Sequence, residues 1–290
     1  MKIIRTPRSM AAWSERLRRE GVTIGFVPTM GALHDGHRSL IRAARLRCDA
    51  LVVSIFVNPA QFSQTEDIST YPRPIARDLA LCREEGVDVC FEPTDRGMYP
   101  EGFQTTVTVP ALARRWEGEA RPHHFAGVAT VVTKLFGIVQ PHLALFGQKD
   151  YQQAALVRQL VDDLNLGVAI QVRPTVRERD GLAMSSRNIY FSADERRIAP
   201  LLSQALRAGQ QMIKGGMSDV AAIERIVRQT IEQALTIHIE YLAVCDQDSL
   251  EPLSVVADRA VLLGAVRIGS IRLIDNLLVK MPGGTSRATR

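Results

Sequence analysis

The sequence predicts an α/β fold in two parts, a larger domain with a mostly parallel sheet followed by a smaller α+β domain. Over about the first 175 residues, short runs rich in Val, Ile and Leu alternate with amphipathic segments. This is the pattern of strands and helices in a parallel sheet that is covered on both faces. In the last third of the chain, amphipathic segments precede runs in which polar and apolar residues alternate, as they do in half-exposed antiparallel strands.

Each strand of the larger domain is predicted from an apolar run that turn residues bound. The predicted strands are Val22–Val27, Ala50–Val57, Val87–Phe91, Thr105–Val109, Leu143–Phe146 and Val168–Val172. The first predicted helix begins near Ser39. Further helices are predicted at Ile75–Glu85, Thr130–Val139 and Tyr151–Asp163. This alternation predicts a Rossmann-like, mostly parallel sheet.

The smaller α+β domain is predicted to contain two helices and three antiparallel strands. The helices, Ala193–Ile213 and Val220–Leu235, are separated by Lys214-Gly215-Gly216. The strands are Ile237–Val244, Ala260–Arg267 and Ser270–Ile274. Because the pattern changes near residue 175, we predict domains at 1–176 and 177–290.

Composition narrows the class of protein. With 46% hydrophobic and 23% charged residues, the chain is typical of globular proteins, and no apolar run approaches the roughly 18 residues of a membrane span. The start lacks the apolar core of a signal peptide, and the four cysteines lack metal-ligand spacing, so reduced thiols and a cytoplasmic location are expected. The net charge of +5 comes from dispersed arginines and a basic C-terminal segment, Ser286–Arg290. We therefore predict neither a nucleic-acid nor a membrane partner.

The stretch most informative about function is Pro28–His37. It follows the first predicted strand and precedes the first predicted helix, so His34 and His37 are expected at the carboxyl edge of the sheet, where ligands bind. A helix start offers unpaired N–H groups and a positive dipole end to phosphate oxygens. Gly31 and Gly36 are expected to let the backbone come close to a ligand. This combination favours an anion-binding site over a turn with incidental histidines.

The same stretch resembles known signatures. The spacing of His34, Gly36 and His37 is similar to the His-x-Gly-His signature of the nucleotidyltransferase superfamily. The longer string Pro-Thr-Met-Gly-Ala-Leu-His-x-Gly-His, at Pro28–His37, resembles the pantoate–β-alanine ligase family, the pantothenate synthetases. The resemblance extends over about residues 22–191.

This resemblance implies an AMP-forming ligase of pantothenate and coenzyme A biosynthesis. Such an enzyme uses ATP with Mg²⁺ to condense (R)-pantoate with β-alanine, through a pantoyl adenylate, and releases AMP and pyrophosphate. The family is usually homodimeric. Residues 1–176 would form the nucleotide- and pantoate-binding domain, and residues 177–290 would form a lid that closes over ATP.

Two glutamines are implied to bind pantoate. Phe56–Phe62 and Lys149–Gln153 resemble family segments whose glutamines, here Gln61 and Gln153, hold this substrate, and Gln61 also borders the β-alanine position. A neutral amide suits a substrate that carries hydroxyl groups and a carboxylate. By residue type alone, a position at the protein surface is more frequent for either glutamine.

The loop Gly147–Asp150 is predicted to bind phosphates. It lies between a predicted strand and a predicted helix, where the charge of Lys149 is unfavourable for the helix dipole. Lys149 is better explained as a point charge for phosphates, which is also what the resemblance implies. By residue type, Asp150 is expected to cap the following helix, and this role is compatible with a contact to ATP.

The loop Asp180–Asn188 is a second predicted phosphate site. Two hydroxyl groups and an arginine after a glycine turn can donate to several phosphate oxygens, although a plain loop is equally compatible with the spacing. The loop resembles the family's version of the Lys-Met-Ser-Lys-Ser signature. This implies that Met184–Arg187 bind ATP and that Val176 lies beside the adenine.

The segment Arg121–Thr130 resembles a family segment that borders the site. By residue type alone, His123 and His124 are both compatible with the surface. The resemblance favours His124, and it makes Arg121 a partner for a substrate carboxylate.

The predicted site therefore combines several segments. The predicted catalytic residues are His34, His37, Lys149, Ser185 and Arg187. The predicted ATP-binding residues are Met30, Gly31, Ala32, Leu33, His34, Asp35, Gly36, His37, Gly147, Gln148, Lys149, Asp150, Val176, Met184, Ser185, Ser186 and Arg187. Gln61 and Gln153 are predicted for pantoate, Gln61 for β-alanine, and Asp78 for the metal.

Two alternative functions remain. One alternative is a nucleotidyltransferase of the same superfamily that acts on a different small acceptor. The other is an RNA-binding module, which is disfavoured because the last third of the chain lacks a basic aromatic platform.

Three positions depart from the family pattern. They are His142 and Gln148, where Asp and Glu are common in the family, and Arg77, where some members have an aspartate beside Asp78.

Overall fold

The computed structural model describes residues 1–63 and 68–282, so the basic segment Ser286–Arg290 lies outside the described residues. The chain divides into two compact units. The first comprises Met1–Gln148 and Gln152–Val176. The second comprises Lys149–Tyr151 and Arg177–Arg290, of which the structure describes the part up to residue 282.

The first unit is built on a six-stranded sheet, and its elements alternate along the chain as a parallel sheet requires. They are β1 (Lys2–Ile4), α1 (Pro7–Arg19), β2 (Ile24–Thr29), α2 (Asp35–Arg45), β3 (Ala50–Ile55), α3 (Ile75–Glu84), β4 (Val89–Phe91), α4 (Asp95–Met98), α5 (Glu117–Ala120), α6 (His124–Val139), β5 (Leu143–Gly147), α7 (Tyr151–Asp163) and β6 (Ala169–Arg173). Short 3₁₀ turns cover Pro59–Gln61 and Gln148–Asp150.

The strand order identifies the edge at which a ligand is expected. The order is β1-β4-β3-β2-β5-β6, and every adjacent pair is parallel. The chain runs outward from β2 through β3 to β4 on one side and from β5 to β6 on the other, so the order reverses between β2 and β5. Open α/β sheets bind ligands at the carboxyl ends of the strands at such a reversal. The segments that follow β2 and β5 begin with Met30 and Gln148.

The parallel sheet confirms the predicted fold class, but it begins earlier than predicted. Val22–Val27 is not the first strand, because β1 and α1 precede it. The signals for α1 are local: Pro7 occupies its first turn, and the Thr6 hydroxyl caps it by accepting from the Ser9 N–H at 3.2 Å. Both are features of a helix start that the sequence displays.

The predicted strand at Thr105–Val109 is wrong. Although the residues alternate, this segment has no strand conformation. The Val107 N–H donates to the hydroxyl of Thr130 on α6 at 3.0 Å instead of to a neighbouring strand. An alternation of polar and apolar residues shows only that every second side chain faces a packed surface. Here that surface includes a helix.

The second unit contains helices packed on a small antiparallel sheet, as predicted. After a 3₁₀ turn at Ser186–Tyr190 come α8 (Ala193–Ile198), α9 (Leu201–Lys214), α10 (Val220–Ile231), β7 (Ile237–Cys245), β8 (Arg259–Ile268) and β9 (Ile271–Lys280). The sheet order is β7-β8-β9. The predicted helix Ala193–Ile213 is two helices that are divided at Pro200, whose ring lacks the N–H that a continuous helix would use.

Each unit has its own apolar core. In the first unit, Ile41 of α2 packs with Leu51 of β3 and Leu145 of β5. In the second unit, Leu206 of α9 packs against Leu262 of the sheet.

All four cysteines are reduced thiols, as predicted; Cys48 is half-buried and the other three are buried. None of the helices in the described ranges is long and apolar enough to cross a membrane.

Candidate active site

The two signature histidines begin α2. His34 is its N-cap residue, and its Nδ1 accepts from the Gly36 N–H at 3.1 Å. His37 occupies the third helical position, and its Nδ1 accepts from the His34 N–H at 3.3 Å. The two side chains therefore form a reciprocal capping box, a role that Ser and Glu usually perform. Their ring centroids lie 4.2 Å apart.

These hydrogen bonds define where each ring carries its proton. Because Nδ1 of each ring accepts from a backbone N–H, it is unprotonated, and in a neutral imidazole the proton then resides on Nε2. Each histidine thus carries an Nε2–H donor while Nδ1 is held by the helix start. The pair combines two side-chain donors with the N-terminal end of a helix dipole, a combination suited to phosphate oxygens.

The glycines of this stretch have reasons internal to the fold. A Cβ on Gly36 would lie 2.9 Å from Nδ1 of His34, so glycine leaves the room in which that ring folds back over the helix start. Gly31 has φ +83°, and a Cβ there would lie 3.0 Å from the carboxylate of Asp78. The predicted close approach of these glycines to a ligand stays a prediction.

Asp78 holds the loop that leads to the histidines. Its side chain is buried on α3, and its two oxygens accept from the N–H groups of Ala32 and Leu33 at 2.8 Å each. Ala32 has φ +49°, an unfavourable conformation for a residue with a Cβ, and these hydrogen bonds hold it there. Burial raises the pKa of the Asp78 carboxyl, while the two backbone donors act in the opposite direction.

The metal prediction for Asp78 stays a prediction, while the hydrogen bonds that both of its oxygens accept give the side chain a structural role in this loop. Within the described ranges, no three His, Cys, Asp or Glu side chains come together in a set that could bind a metal ion. The structure thus shows the contacts of Asp78 with the loop, and a contact with a cation remains a prediction.

Gln61 lies in a buried polar network. Its Oε1 accepts from Nδ2 of Asn58 at 3.0 Å, which directs its Nε2–H₂ group toward the sulfur of Met30 at 3.1 Å. Asn58 is fixed in turn by the hydroxyl of Tyr99, which donates to its Oδ1 at 2.7 Å. This network brings Gln61 beside Met30, the first residue of the histidine loop. Sequence reasoning did not single out Asn58 or Tyr99, although Asn58 before a proline is a turn signal.

The structure distinguishes the two histidines of the Arg121–Thr130 segment. His123 is exposed, whereas His124 is buried. Nδ1 of His124 lies 2.9 Å from the carbonyl oxygen of Gln61, to which it can only donate, so Nε2 is the nitrogen that accepts from Arg121 at 3.2 Å. Arg121 and His124 therefore support the backbone at Gln61.

Gln153 and Val176, the other predicted residues of the first unit, are half-buried. Gln153 lies on the first turn of α7. Its neighbour Gln152 is buried and structural, because its side chain donates to the carbonyl oxygens of Leu112 and Arg115. Gln153 differs from Gln152 in being only half-buried, and its contact with a ligand stays a prediction.

Lys149 belongs to the second unit with Asp150 and Tyr151. Its ammonium lies 3.9 Å from the carboxylate of Asp150, a distance at which attraction is weak. The predicted capping of α7 by Asp150 stays a prediction. The Lys149 carbonyl oxygen accepts from Nδ2 of Asn276 at 2.9 Å, which fixes the backbone below the ammonium group.

The loop before the 3₁₀ turn at Ser186–Tyr190 is held by several ion pairs. Arg196 of α8 donates to Glu178 and to Asp180, each at 2.6 Å. Burial opposes the charge on the Asp180 carboxyl, but the hydrogen bond from Arg196 lowers its pKa overall. A pocket of about 460 Å³ borders this loop and includes Met184 in its lining. The half-buried segment Met184–Arg187 follows the loop that Arg196 holds.

The departures from the family pattern have different consequences. His142 lies at the amino end of β5, where its Nδ1 accepts from the Ile24 N–H at 3.0 Å. An aspartate could accept from the same N–H, so this departure concerns the sheet and not the ligand edge. Gln148 is half-buried. Burial raises the pKa of Asp78, and the charge of Arg77 beside it on α3 acts in the opposite direction.

Comparison with known proteins gives matches over nearly the whole chain. A family model described as pantoate-beta-alanine ligase matches residues 2–278. A pantothenate synthetase from Heliobacterium modesticaldum is 50% identical over 281 residues, covering 97% of this chain and 100% of that protein. One from Desulfatibacillum aliphaticivorans is 49% identical over 280 residues, with 97% and 100% covered.

Solved structures agree with the sequence matches. The crystal structure of pantothenate synthetase from Thermus thermophilus has a TM-score of 0.91 at 46% identity and covers 96% of this chain and 99% of that one. The pantoate-beta-alanine ligase from Francisella tularensis, complexed with beta-gamma ATP and beta-alanine, has a TM-score of 0.80 at 35% identity, with 96% and 97% covered.

Proposed function

The chain belongs to the pantoate–β-alanine ligase family and is a ligase that joins pantoate to β-alanine, and we propose that it does so through a pantoyl adenylate. In the first step a pantoate carboxylate oxygen attacks the α-phosphorus of ATP, and the bond to the β-phosphate oxygen breaks, releasing pyrophosphate. In the second step the amine of β-alanine attacks the acyl carbon. The bond to AMP then breaks, and the amine loses its proton to solvent.

The observation that carries this proposal is the histidine capping box. Negative charge develops on the α-phosphate oxygens as the fifth bond forms, and donors fixed in advance stabilise that charge. His34 and His37 are held through Nδ1 by the helix start, so their Nε2–H groups need little reorganisation. His37 is our candidate for moving a proton at the transferring phosphate, because histidine titrates near neutrality.

The remaining ATP contacts are proposed from the family resemblance, and the charges of the residues agree with it. Lys149 and Arg187 would neutralise the leaving phosphates, and Ser185 and Ser186 would donate hydroxyl hydrogens to their oxygens. Met30–Leu33 with Asp35 and Gly36 supply backbone to the nucleotide, as do Gly147, Gln148 and Asp150. Val176 and Met184 supply its apolar contacts.

The acceptor substrates are assigned to the glutamines. Nε2 of Gln61 is directed by Asn58, so it can donate to an oxygen of pantoate, and the same residue borders the β-alanine position. Gln153 is proposed as the second pantoate contact. Neutral donors suit this step, because a cationic group beside the pantoate carboxylate would withdraw electron density from it and weaken it as a nucleophile.

Magnesium is proposed to enter with ATP as part of the substrate. Mg²⁺ commonly keeps several waters and is held largely by substrate phosphates, and the described residues offer no cluster of protein ligands for it. We propose no bound organic cofactor. A homodimer is proposed from the family resemblance, and a cytoplasmic location from the reduced thiols of the four cysteines.

The direct test is to identify the nucleotide product. We would incubate the protein with ATP, Mg²⁺, pantoate and β-alanine and follow the phosphorus species by ³¹P NMR. The proposal predicts AMP and pyrophosphate, formed in step with pantothenate. ADP with inorganic phosphate would contradict it and indicate an acyl phosphate. A stable nucleotidyl product that β-alanine does not discharge would instead support the alternative nucleotidyltransferase.

A further inference from the structure

Strand β9 carries two consecutive buried polar residues, Asp275 and Asn276, which are 4% and 1% exposed. Buried polar groups in a sheet are costly unless they are hydrogen-bonded, so their partners show what they stabilise. The partners of both lie in segments that the proposed function assigns to ATP phosphates or to the loop that presents them.

Asp275 holds the phosphate loop through Arg177. Its two oxygens accept from NH1 and NH2 of Arg177 at 2.6 and 2.8 Å, a bidentate pair with side-chain exposures of 3% and 14%. The same guanidinium donates to the carbonyl oxygen of Gly181 at 3.0 Å. Gly181 has φ +94° and forms the turn that leads to Met184–Arg187. Asp275 therefore fixes the turn by fixing the arginine that binds it.

Asn276 holds the other phosphate segment. Its Nδ2 donates to the carbonyl oxygen of Lys149 at 2.9 Å, and its own carbonyl oxygen accepts from Arg177 at 3.4 Å. Its backbone N–H donates to Asp275 at 2.7 Å. Two adjacent residues of one strand are thus bonded to the backbone of Lys149 and to the turn before Ser185.

We propose that Asp275 and Asn276 are positioning residues for adenylation, an inference that rests on the proposed function. They set the distance between the Lys149 ammonium and the donors of Ser185–Arg187, so that both groups reach the triphosphate together. Neither residue is proposed to touch a substrate. A displacement of about 1 Å in such a donor can reduce a rate by about 10²-fold, so the effect on catalysis should exceed the effect on folding.

The same sheet offers a matched control. Glu240 on β7 binds Arg272 of β9 at 2.7 Å and Arg267 of β8 at 2.9 Å. The Glu240 and Arg272 side chains are each 17% exposed. These ion pairs lie on the same sheet, but Glu240 contacts neither Lys149 nor the turn at Gly181 in the hydrogen bonds and ion pairs of the described residues. Glu240→Gln should therefore affect stability without affecting adenylation.

The experiment compares Asp275→Asn, Asn276→Ala and Glu240→Gln in the full chain. Exchange of pyrophosphate into ATP in the presence of pantoate measures adenylation alone, and thermal unfolding measures stability. We expect Asp275→Asn and Asn276→Ala to lower the exchange kcat by about 10- to 100-fold and to raise the KM for ATP. The KM for pantoate should stay unchanged, and Glu240→Gln should exchange at the wild-type rate.

Arg177→Lys and Asn276→Ala keep the inference testable if Asp275→Asn does not fold. Lysine keeps the charge but cannot form the bidentate pair, so Arg177→Lys should reproduce the rise in KM for ATP. Variants that lose stability but keep wild-type exchange constants would overturn the positioning role, as would a Glu240→Gln defect of equal size. A wild-type protein with no exchange activity would instead overturn the proposed function.

Discussion

His34 and His37 each perform two tasks with one ring. Nδ1 completes the helix start, and Nε2–H is the donor assigned to the phosphate. The sequence predicts their place at the strand end, because a strand, a turn and a helix start are local signals. It does not predict the capping box, because histidine is an unusual cap and the fold of the ring over Gly36 depends on three-dimensional clearance.

Substitutions can separate the two tasks of the histidines. Asn is a strong N-cap and Gln is the preferred reciprocal partner three residues later, so His34→Asn and His37→Gln should unfold near the wild-type temperature. Each should lower turnover by about 10²-fold or more, since the amide NH₂ group does not lie where the imidazole Nε2–H was and the transition-state contact is lost. Steady-state kinetics and thermal unfolding check this. Normal turnover in both variants would reduce the stretch to a structural role.

The role of Asp78 in holding the loop at Ala32 can be tested by substitution. Asp78→Asn replaces one acceptor oxygen by an NH₂ group that faces a backbone N–H, so the loop at Ala32 should shift. We expect a lower kcat and a loss of unfolding free energy of about 1.5–3 kcal/mol, the usual contribution of a hydrogen bond to a charged group.

Asp88→Asn is the control for that experiment. Asp88 accepts from the Leu51 N–H at 2.7 Å, at the opposite end of the strands, so its removal should affect stability alone. Equal kcat losses in the two variants would contradict the assignment of Asp78 to the histidine loop. The sequence could not reveal this role, because the partners of Asp78 are 45 and 46 residues away.

His142 makes stability depend on pH. Burial, followed by the charge of Arg18, lowers the pKa of His142 below its ordinary value of 6.5, and only the unprotonated Nδ1 can accept from Ile24. The folded state therefore binds this proton less tightly than the unfolded state. The stabilising contribution is complete above pH 6.5 and is lost as the pH falls through the lowered pKa. Urea unfolding from pH 8 to 5 should show a smaller loss in His142→Asn, whose Oδ1 accepts at every pH. A pH-independent difference between the proteins would contradict this.

Helix α3 and the residue that follows it hold both the loop before α2 and α2 itself. Besides the Asp78 contacts, Glu85 just after α3 accepts from Arg42 at 2.7 and 2.8 Å and lies 3.1 Å from Nε of Arg38. The helix that carries His37 is thus anchored along its length. Apolar periodicity predicts that both helices exist, and tertiary ion pairs of this kind are not visible to it.

Helix α6 offers a paired glycine test. A Cβ on Gly127 would lie 2.2 Å from the carbonyl oxygen of Ala60, in the turn that carries Gln61, whereas a Cβ on Gly137 would meet nothing within 4 Å. Gly127→Ala should therefore cost about 1–3 kcal/mol of unfolding free energy by overpacking, and it should raise the KM for pantoate. Gly137→Ala should add about 0.5–1 kcal/mol. Chemical denaturation measures both, and equal effects would contradict the packing argument.

For the whole molecule, the sequence predicts the fold class well, because the parallel and antiparallel regions have different periodicities. Alternation misled at Thr105–Val109, where a helix provides the packed surface. The buried contacts of Asp275 and Asn276 could not be predicted, since they join segments about 100 residues or more apart in sequence. The predicted division at residue 176 stays a prediction about function.

The proposed mechanism depends on a pantoyl adenylate, and isotope exchange detects the formation of this intermediate. With ATP, Mg²⁺ and labelled pyrophosphate, but without β-alanine, the protein should incorporate label into ATP only when pantoate is present. Adenylation is then the one reversible step available, so exchange reports that the α-phosphorus has bonded to pantoate. We expect pantoate-dependent exchange that His37→Gln lowers by about 10²-fold or more. Pantothenate synthesis without any such exchange, or exchange that does not require pantoate, would contradict the account.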